Sequence, residues 1–255
     1  MALESAFQSC RKQEPDVVVF LGDLFTYGNQ PLEVIACLSE FRSTFKCQFI
    51  IGNHDQVYLD YFNSIDGFDS EYFTDLPDWI KESFEWTANQ LGKDGQNFLN
   101  GLPWTYELEL SQILLSHANP FGPKNWRYLN SKDDFSHCLL ALEARNLKMG
   151  VFGHTHRCKI WYRAFGSVLE APETLESEDS SYESMNHSIA AITLASLGQP
   201  RNESKKSFAY LLATDAQKVK IQPILIKYDN EKFKENLRTT FSAQSQLLKK
   251  LDFYY

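Results

Sequence analysis

No apolar run in these 255 residues approaches the length of a membrane span, and the N-terminus carries no signal-peptide pattern, so a cytoplasmic protein is expected. Basic charge is scarce as well: 25 Lys and Arg stand against 33 Asp and Glu, a net charge of −8. Broad electrostatic capture of nucleic acid needs a basic surface, so that class is disfavoured, whereas a local phosphate site whose field is set by bound cations is not. The five cysteines (Cys10, Cys37, Cys47, Cys138, Cys158) are odd in number and include no C-x-x-C pair. They read as free thiols in a reducing compartment. Cys158 lies two residues beyond His156, but a core thiol explains it better than a metal ligand. Internal repeats and linkers are missing too. One α/β domain over 1–255 is expected, with its core to about residue 228 and a helical tail over 229–255.

What the chain does contain is alternating helix and strand signals. Leu3, Phe7 and Cys10 recur at helical spacing, and Val17–Leu21 then reads as a strand buried on both faces. Pro31 opens a helix with Val34, Leu38 and Phe41 on one side. Strands are predicted over Phe49–Ile51, Tyr106–Leu110, Ile113–Leu115 and Met149–Phe152. Pro77 and Gly92 bracket a helix, and Ser131 is placed to cap another that carries Phe135, Leu139 and Leu142. Beyond residue 160 the chain is rich in strand signals, broken by an acidic, Ser-rich loop over Glu170–Glu183. Helix is predicted again near Phe233, Leu237 and Phe241, and on to Leu248 and Leu251.

Four polar motifs follow apolar runs: Gly22-Asp23, Gly52-Asn53-His54-Asp55, Ser116-His117 and Gly153-His154-Thr155-His156. In open α/β sheets ligand sites gather beyond the carboxyl ends of strands, so loops far apart in sequence can converge there. A carboxylate with several imidazoles suits a transition-metal ion such as Zn, Fe, Mn, Co or Ni better than Mg or Ca, which prefer oxygen alone. Taken singly, Asp23 and Asn53 could merely shape turns, and His117 could be a hydrogen-bonded core histidine. His137 and His187 read as structural or solvent-facing.

The ordered set resembles the calcineurin-like metallophosphoesterase family, in its bacterial diadenosine tetraphosphatase-like or phosphoprotein phosphatase-like branch. Supporting marks are Tyr27-Gly28, Ser-His-Ala-Asn-Pro over 116–120, Trp86-Thr87, Gly101-Leu102-Pro103 and Gly198-Gln199-Pro200-Arg201. The resemblance implies a two-sheet α/β sandwich flanked by helices, with a two-metal site at one edge. It makes Asp23 the bridging carboxylate, Asn53, His117 and His154 the other ligands of the second metal, and His156 a ligand of the first. It places His54 near the leaving oxygen as general acid, oriented by Asp55. The implied activity is metal-dependent hydrolysis of a phosphomonoester, phosphodiester or phosphoanhydride, with a small phosphate ester, nucleotide or phosphoprotein as substrate. Arg127 and Arg201 are candidates to meet a phosphate oxygen, an ordinary ion pair being the alternative for each. A catalytically silent scaffold, like the metallophosphoesterase-like subunit of the retromer complex, is the rival reading, and a nuclease is disfavoured by the acidic balance.

The family pattern opens with a strand ending in Asp-x-His-Gly-Asn, followed by a helix containing Ala-Leu-Glu. Here Ala2-Leu3-Glu4 follows Met1 directly, so the resemblance implies a missing first strand, two missing ligands of the first metal and impaired activity. Met1 is accordingly expected to be an internal methionine of a longer natural protein. An intact-mass measurement on protein from its source tests this, and a mass that starts at Met1 would overturn it.

Overall fold

A computed structural model describes residues 1–64, 68, 71–171, 174–184, 188–202, 204–215, 218–241, 245 and 247–250. The expectations for His187 and Leu251 lie outside the described residues. Two compact units are present, one built from Leu3–Pro103 with Tyr228–Tyr255, the other from Trp104–Lys227.

The first unit begins with α1 (Ala2–Gln13), β1 (Val18–Phe20), α2 (Pro31–Thr44) and β2 (Cys47–Phe49), then α3 (Asn53–Asn63), α4 (Glu71–Thr74) and α5 (Asp78–Leu99). β1 and β2 run parallel, in a register that sets Phe20 opposite Phe49 with rings stacked at 4.6 Å. Such cross-strand aromatic pairs are a unit of sheet stabilisation. The three residues of β1 are only half-buried, where the sequence predicts full burial. β1 pairs with β2 alone among the described residues, and a strand in a two-stranded sheet keeps an uncovered edge. β2 also sits two residues earlier than predicted, because the Ile51 N–H leaves the ladder to donate to the Pro103 carbonyl at 2.9 Å.

Helices fill the core of this unit with large side chains. Leu38, Tyr58, Phe84, Leu91 and Leu99 are all at most 2% exposed, and Tyr58 stacks on Phe84 at 4.4 Å. As predicted, Ile80, Phe84, Thr87 and Leu91 share the buried side of α5. The helix does not end at Gly92, however. It kinks there (φ 46°, ψ −134°) and resumes, because Gly95, Phe98 and Leu99 continue the buried stripe.

The second unit carries the larger sheet. Its strands are β3 (Thr105–Leu108), β4 (Ile113–Ser116), β5 (Met149–Phe152), β6 (Lys159–Ala164), β7 (Ser167–Glu170), β8 (Tyr182–Glu183), β9 (Ile189–Thr193), β10 (Ser207–Thr214) and β11 (Val219–Ile226). Six of them order as β3-β4-β5-β9-β6-β7, with β4, β5 and β9 parallel, and β10-β11-β8 form a separate antiparallel sheet. β4 and β5 are buried along their whole length, which explains their unbroken apolar sequences. α6 (Lys132–Ala144) packs Phe135, Leu139 and Leu142 into the core. Ser131 caps it as predicted: its hydroxyl accepts from the Asp134 N–H while the Asp134 carboxylate accepts from the Ser131 N–H. The acidic segment is bounded by strands, Glu170 ending β7 and Tyr182 opening β8, and its described acidic side chains are half- to fully exposed while Leu175 is buried.

Within the described residues the chain returns to the first unit in α7 (Asn230–Thr240), where Leu237 and Phe241 pack with Trp86, and then makes a short 3-10 turn over Leu248–Lys250. Among the described residues no helix is long and apolar enough to cross a membrane. Replacing Phe84 by Ala is expected to cost about 3–5 kcal/mol through the cavity it leaves, and Ser131→Ala about 1 kcal/mol through the lost cap. Urea unfolding measures both, and a Ser131→Ala cost matching that of Phe84→Ala would contradict this account of the packing.

Candidate functional site

In the first unit, the parallel pairing of β1 with β2 delivers Gly22-Asp23 and Gly52-Asn53-His54-Asp55 from adjacent carboxyl ends. The two loops touch through backbone. Gly22 has φ +90°, and a Cβ there would overlap the Gly52 main chain; a Cβ on Gly52 would overlap the carboxylate and amide of Asp23. Only glycine permits both the positive φ and the approach.

Asp55 is fully buried, and its carboxylate accepts from the backbone N–H groups of Asp23 (2.7 Å), Leu24 (3.0 Å) and Gly52 (3.0 Å). A buried carboxylate is tolerable only with such partners. Asp23 answers by accepting the His54 N–H on Oδ1 at 2.9 Å, so an acid occupies the N-terminus of α3, where the helix leaves N–H groups unpaired and favours negative charge. Asp55 thus fixes both loops, and the His54 ring meets the Tyr27 hydroxyl at Nε2, 3.0 Å away. Asn53 donates Nδ2 to the Tyr72 hydroxyl at 2.5 Å, so a cation at Asn53 would be met by the amide oxygen.

In the second unit the same device recurs. β4 and β5 are parallel neighbours, and their carboxyl ends carry His117 and Gly153-His154-Thr155-His156. The Gly153 N–H donates to the His117 carbonyl at 2.8 Å, locking the two turns together. His154 Nε2 lies 3.0 Å from the Trp126 carbonyl, and His156 Nδ1 lies 2.8 Å from the Gln199 carbonyl. A carbonyl oxygen only accepts, so these ring nitrogens carry the protons. The lone pairs are then on Nδ1 of His154 and Nε2 of His156, the arrangement by which ligating histidines are oriented from behind. His117 Nε2 stands 3.1 Å from His154 Nδ1. That spacing suits two imidazoles on one ion, since metal–N bonds of about 2.0–2.1 Å separate the nitrogens by about 2.9 Å at right angles and about 3.3 Å at the tetrahedral angle. The donor set of this unit therefore fits a transition metal.

Asp23 (φ 54°), His154 (φ 59°) and His156 (φ 58°) all adopt the left-handed region, which Asp and His enter more readily than most residues. Backbone of this kind gathers at functional sites. Other sequence candidates make local bonds. Arg127 places Nε and Nη2 on one Asp134 oxygen, at 2.9 and 2.7 Å. Burial opposes ionisation of Asp134, but hydrogen bonds from Ser131, Arg127 and Asn130 outweigh it and hold the carboxyl well below its usual range. The Arg201 N–H donates to the His156 carbonyl at 3.1 Å, and its Nη2 meets Gln199 Oε1 at 3.3 Å. Cys158 is buried, and burial raises its thiol pKa, as suits an inert core thiol. His137 is exposed on α6, as expected.

The sequence suggests core or lid packing for the aromatic residues between Tyr58 and Trp86, Tyr72 among them. It assigns nothing to the Trp126 and Gln199 carbonyls or to Tyr128, whose ring stacks on His154 at 4.1 Å. Asn119 opens the loop that runs to Trp126. Its amide bonds to Asn125, Arg127 and Phe121 and shapes the loop that presents the Trp126 carbonyl. Asp55→Ala strands three backbone donors and is expected to cost about 3 kcal/mol or more, and to weaken Mn²⁺ binding by releasing Asp23. Denaturation and calorimetric titration check both effects; wild-type stability in the variant would refute the structural role given to Asp55.

Residues 2–158 match the family model for calcineurin-like phosphoesterase. The chain is 25% identical over 246 residues to "Uncharacterized protein MJ0912" of Methanocaldococcus jannaschii, across 92% of this chain and 86% of that protein. Its fold is similar to the crystal structure of a metallophosphoesterase from Sphaerobacter thermophilus (TM-score 0.69, 19% identity, 98% of this chain and 92% of that one). It is also similar to that of hypothetical protein PH1004 from Pyrococcus horikoshii OT3 (TM-score 0.73, 18% identity, 100% and 92%). With more than half of its length inside the family match, the chain belongs to the calcineurin-like phosphoesterase family.

Proposed function

We propose that this chain is a metal-dependent hydrolase of phosphate esters or anhydrides, acting in the cytoplasm on a small phosphate ester, a nucleotide or a phosphoprotein. The observation that carries the reading is the pair of carbonyl-pinned imidazoles, His154 on Trp126 and His156 on Gln199, which turns a lone pair of each ring toward a ligating role. Family membership supports combining them with the donors of the first unit. Asp23, Asn53, His117, His154 and His156 are the proposed ligands, and Mn, Fe, Zn, Co and Ni all suit mixed carboxylate, amide and imidazole donors. Bound divalent ions supply charge neutralisation at the phosphoryl oxygens and a water acidic enough to act as nucleophile near neutral pH.

The remaining roles belong to the chain's own groups. His54 delivers a proton to the leaving oxygen, a contribution of roughly 10²–10⁴ in general acid catalysis. Asp55 keeps Asp23 and the start of α3 in fixed relation, so the ligands need little reorganisation. Arg201, tied through its N–H to the His156 carbonyl, is the better placed of the two arginines for phosphate, because Arg127 is committed to Asp134.

With Mn²⁺ added, the chain is expected to hydrolyse p-nitrophenyl phosphate or bis(p-nitrophenyl) phosphate at a rate impaired by the two missing ligands of the first metal, to lose the activity to a chelator, and to drop at least about 100-fold on His117→Ala. Product absorbance follows the reaction, and metal analysis reads the occupancy independently. A chain that binds Mn²⁺ yet cleaves no monoester, diester or dinucleotide anhydride would favour the silent-scaffold reading instead.

A further inference from the structure

We infer that Tyr27 is a positioning residue for His54, its hydroxyl fixing the imidazole in the orientation from which it protonates the leaving oxygen; this rests on the phosphoesterase reading above. The Tyr27 hydroxyl lies 3.0 Å from His54 Nε2, and both side chains are buried (7% and 5% exposed), so the bond forms out of competition with water. The two rings meet edge to face at 5.3 Å. Trp79 covers the other side of the arrangement, stacked on Tyr27 at 5.5 Å. The phenol is thereby held on two sides, and it holds the imidazole on one.

The backbone makes an independent case. Thr26 (φ 86°) and Tyr27 (φ 65°) are consecutive non-glycine residues with positive φ, a conformation especially costly for a β-branched residue such as Thr26. Such strain persists only where the surroundings over-determine it. They do so here. The Tyr27 N–H donates to the buried Ser83 hydroxyl of α5 at 2.9 Å, and Thr26 Oγ1 and the Tyr58 hydroxyl hydrogen-bond at 2.9 Å. Asn29 then clamps the end of the loop, Nδ2 donating to the Asn236 carbonyl and the Thr240 hydroxyl of α7 at 3.0 and 2.7 Å. Three helices thus hold this short loop in a strained shape, and the shape places the Tyr27 hydroxyl on His54.

In the step served, a water oxygen forms a new P–O bond and gives up its proton to solvent as the P–O bond to the leaving group breaks. The leaving oxygen takes the proton from His54 Nδ1, Nε2 being bonded to Tyr27, and the neutral imidazole regains a proton from water. A leaving group that is already a stable anion gains little from that proton, whereas an alkoxide needs it. Tyr27→Phe keeps the ring stacked on Trp79 and removes only the hydroxyl. Matched p-nitrophenyl and ethyl esters, in the ester class the wild type cleaves with Mn²⁺, are therefore the probe. The variant is expected to raise the kcat ratio of the nitrophenyl over the ethyl ester by about tenfold, with little change in KM. In ¹⁵N-labelled full-length protein it should also shift the His54 ring-nitrogen resonances and leave those of exposed His137 in place. An equal loss on both esters, or His54 resonances indifferent to the substitution, overturns the inference and leaves the phosphoesterase reading standing. A wild type that cleaves neither ester overturns both.

Discussion

A single buried carboxylate organises the first unit. Asp55 takes the main-chain N–H groups of Asp23, Leu24 and Gly52, and so joins the loop after β1 to the loop after β2 at a distance only glycine tolerates. Remove that charge and three donors lose their partner inside the protein, a penalty that outweighs any gain from burying a neutral side chain in its place. The position of Asp23, the first turn of α3, and hence of Asn53 and His54, all follow from it. The aromatic core built around Tyr58 and Phe84 gives this arrangement a rigid floor, since Val57 and Tyr58 lie one turn further along the same helix.

The second unit reaches a similar result by other means. There the neighbouring strands β4 and β5 are buried throughout, and their carboxyl ends are joined by the bond from the Gly153 N–H to the His117 carbonyl. Carbonyls on separate loops then fix the tautomers of His154 and His156. In both units a parallel strand pair supplies the position, and a left-handed turn supplies the direction of the side chain. Donors set in this way before a cation arrives lose little conformational freedom when it binds, so more of the interaction appears as affinity.

Much of this was legible in the sequence, and the reason is local. Met149–Phe152 is apolar because it is buried on both faces, and the polar motif after it can only be a turn. The capping box at Ser131 and the buried face of α5 are equally local patterns. The features that escaped depend on distant partners. Gly92 reads as a helix stop until Gly95, Phe98 and Leu99 are seen to fill the same core beyond it. The half-exposure of β1 depends on how many strands flank it, which its own residues do not encode. No local pattern around Asp55 reveals that its carboxylate is also drawn to amides more than 30 residues away.

The same distinction governs what substitution can do to the ligands. The atoms that set the His154 and His156 tautomers are main-chain oxygens, so changing the side chains of Trp126 or Gln199 does not delete them. What such changes can do is move the loops. For Trp126 the support is the Asn119 amide, which bonds to Asn125 on one side of it and Arg127 on the other. For Gln199 it is the bond from its N–H to the Ser196 hydroxyl at 3.0 Å. Control of the imidazoles is therefore exercised by Asn119 and Ser196, one step behind the carbonyls. The Asn of the Ser-His-Ala-Asn-Pro motif thus has a structural reason to be Asn: it alone among small side chains supplies both the donors that reach Asn125 and Arg127 and the acceptor that takes the Phe121 N–H.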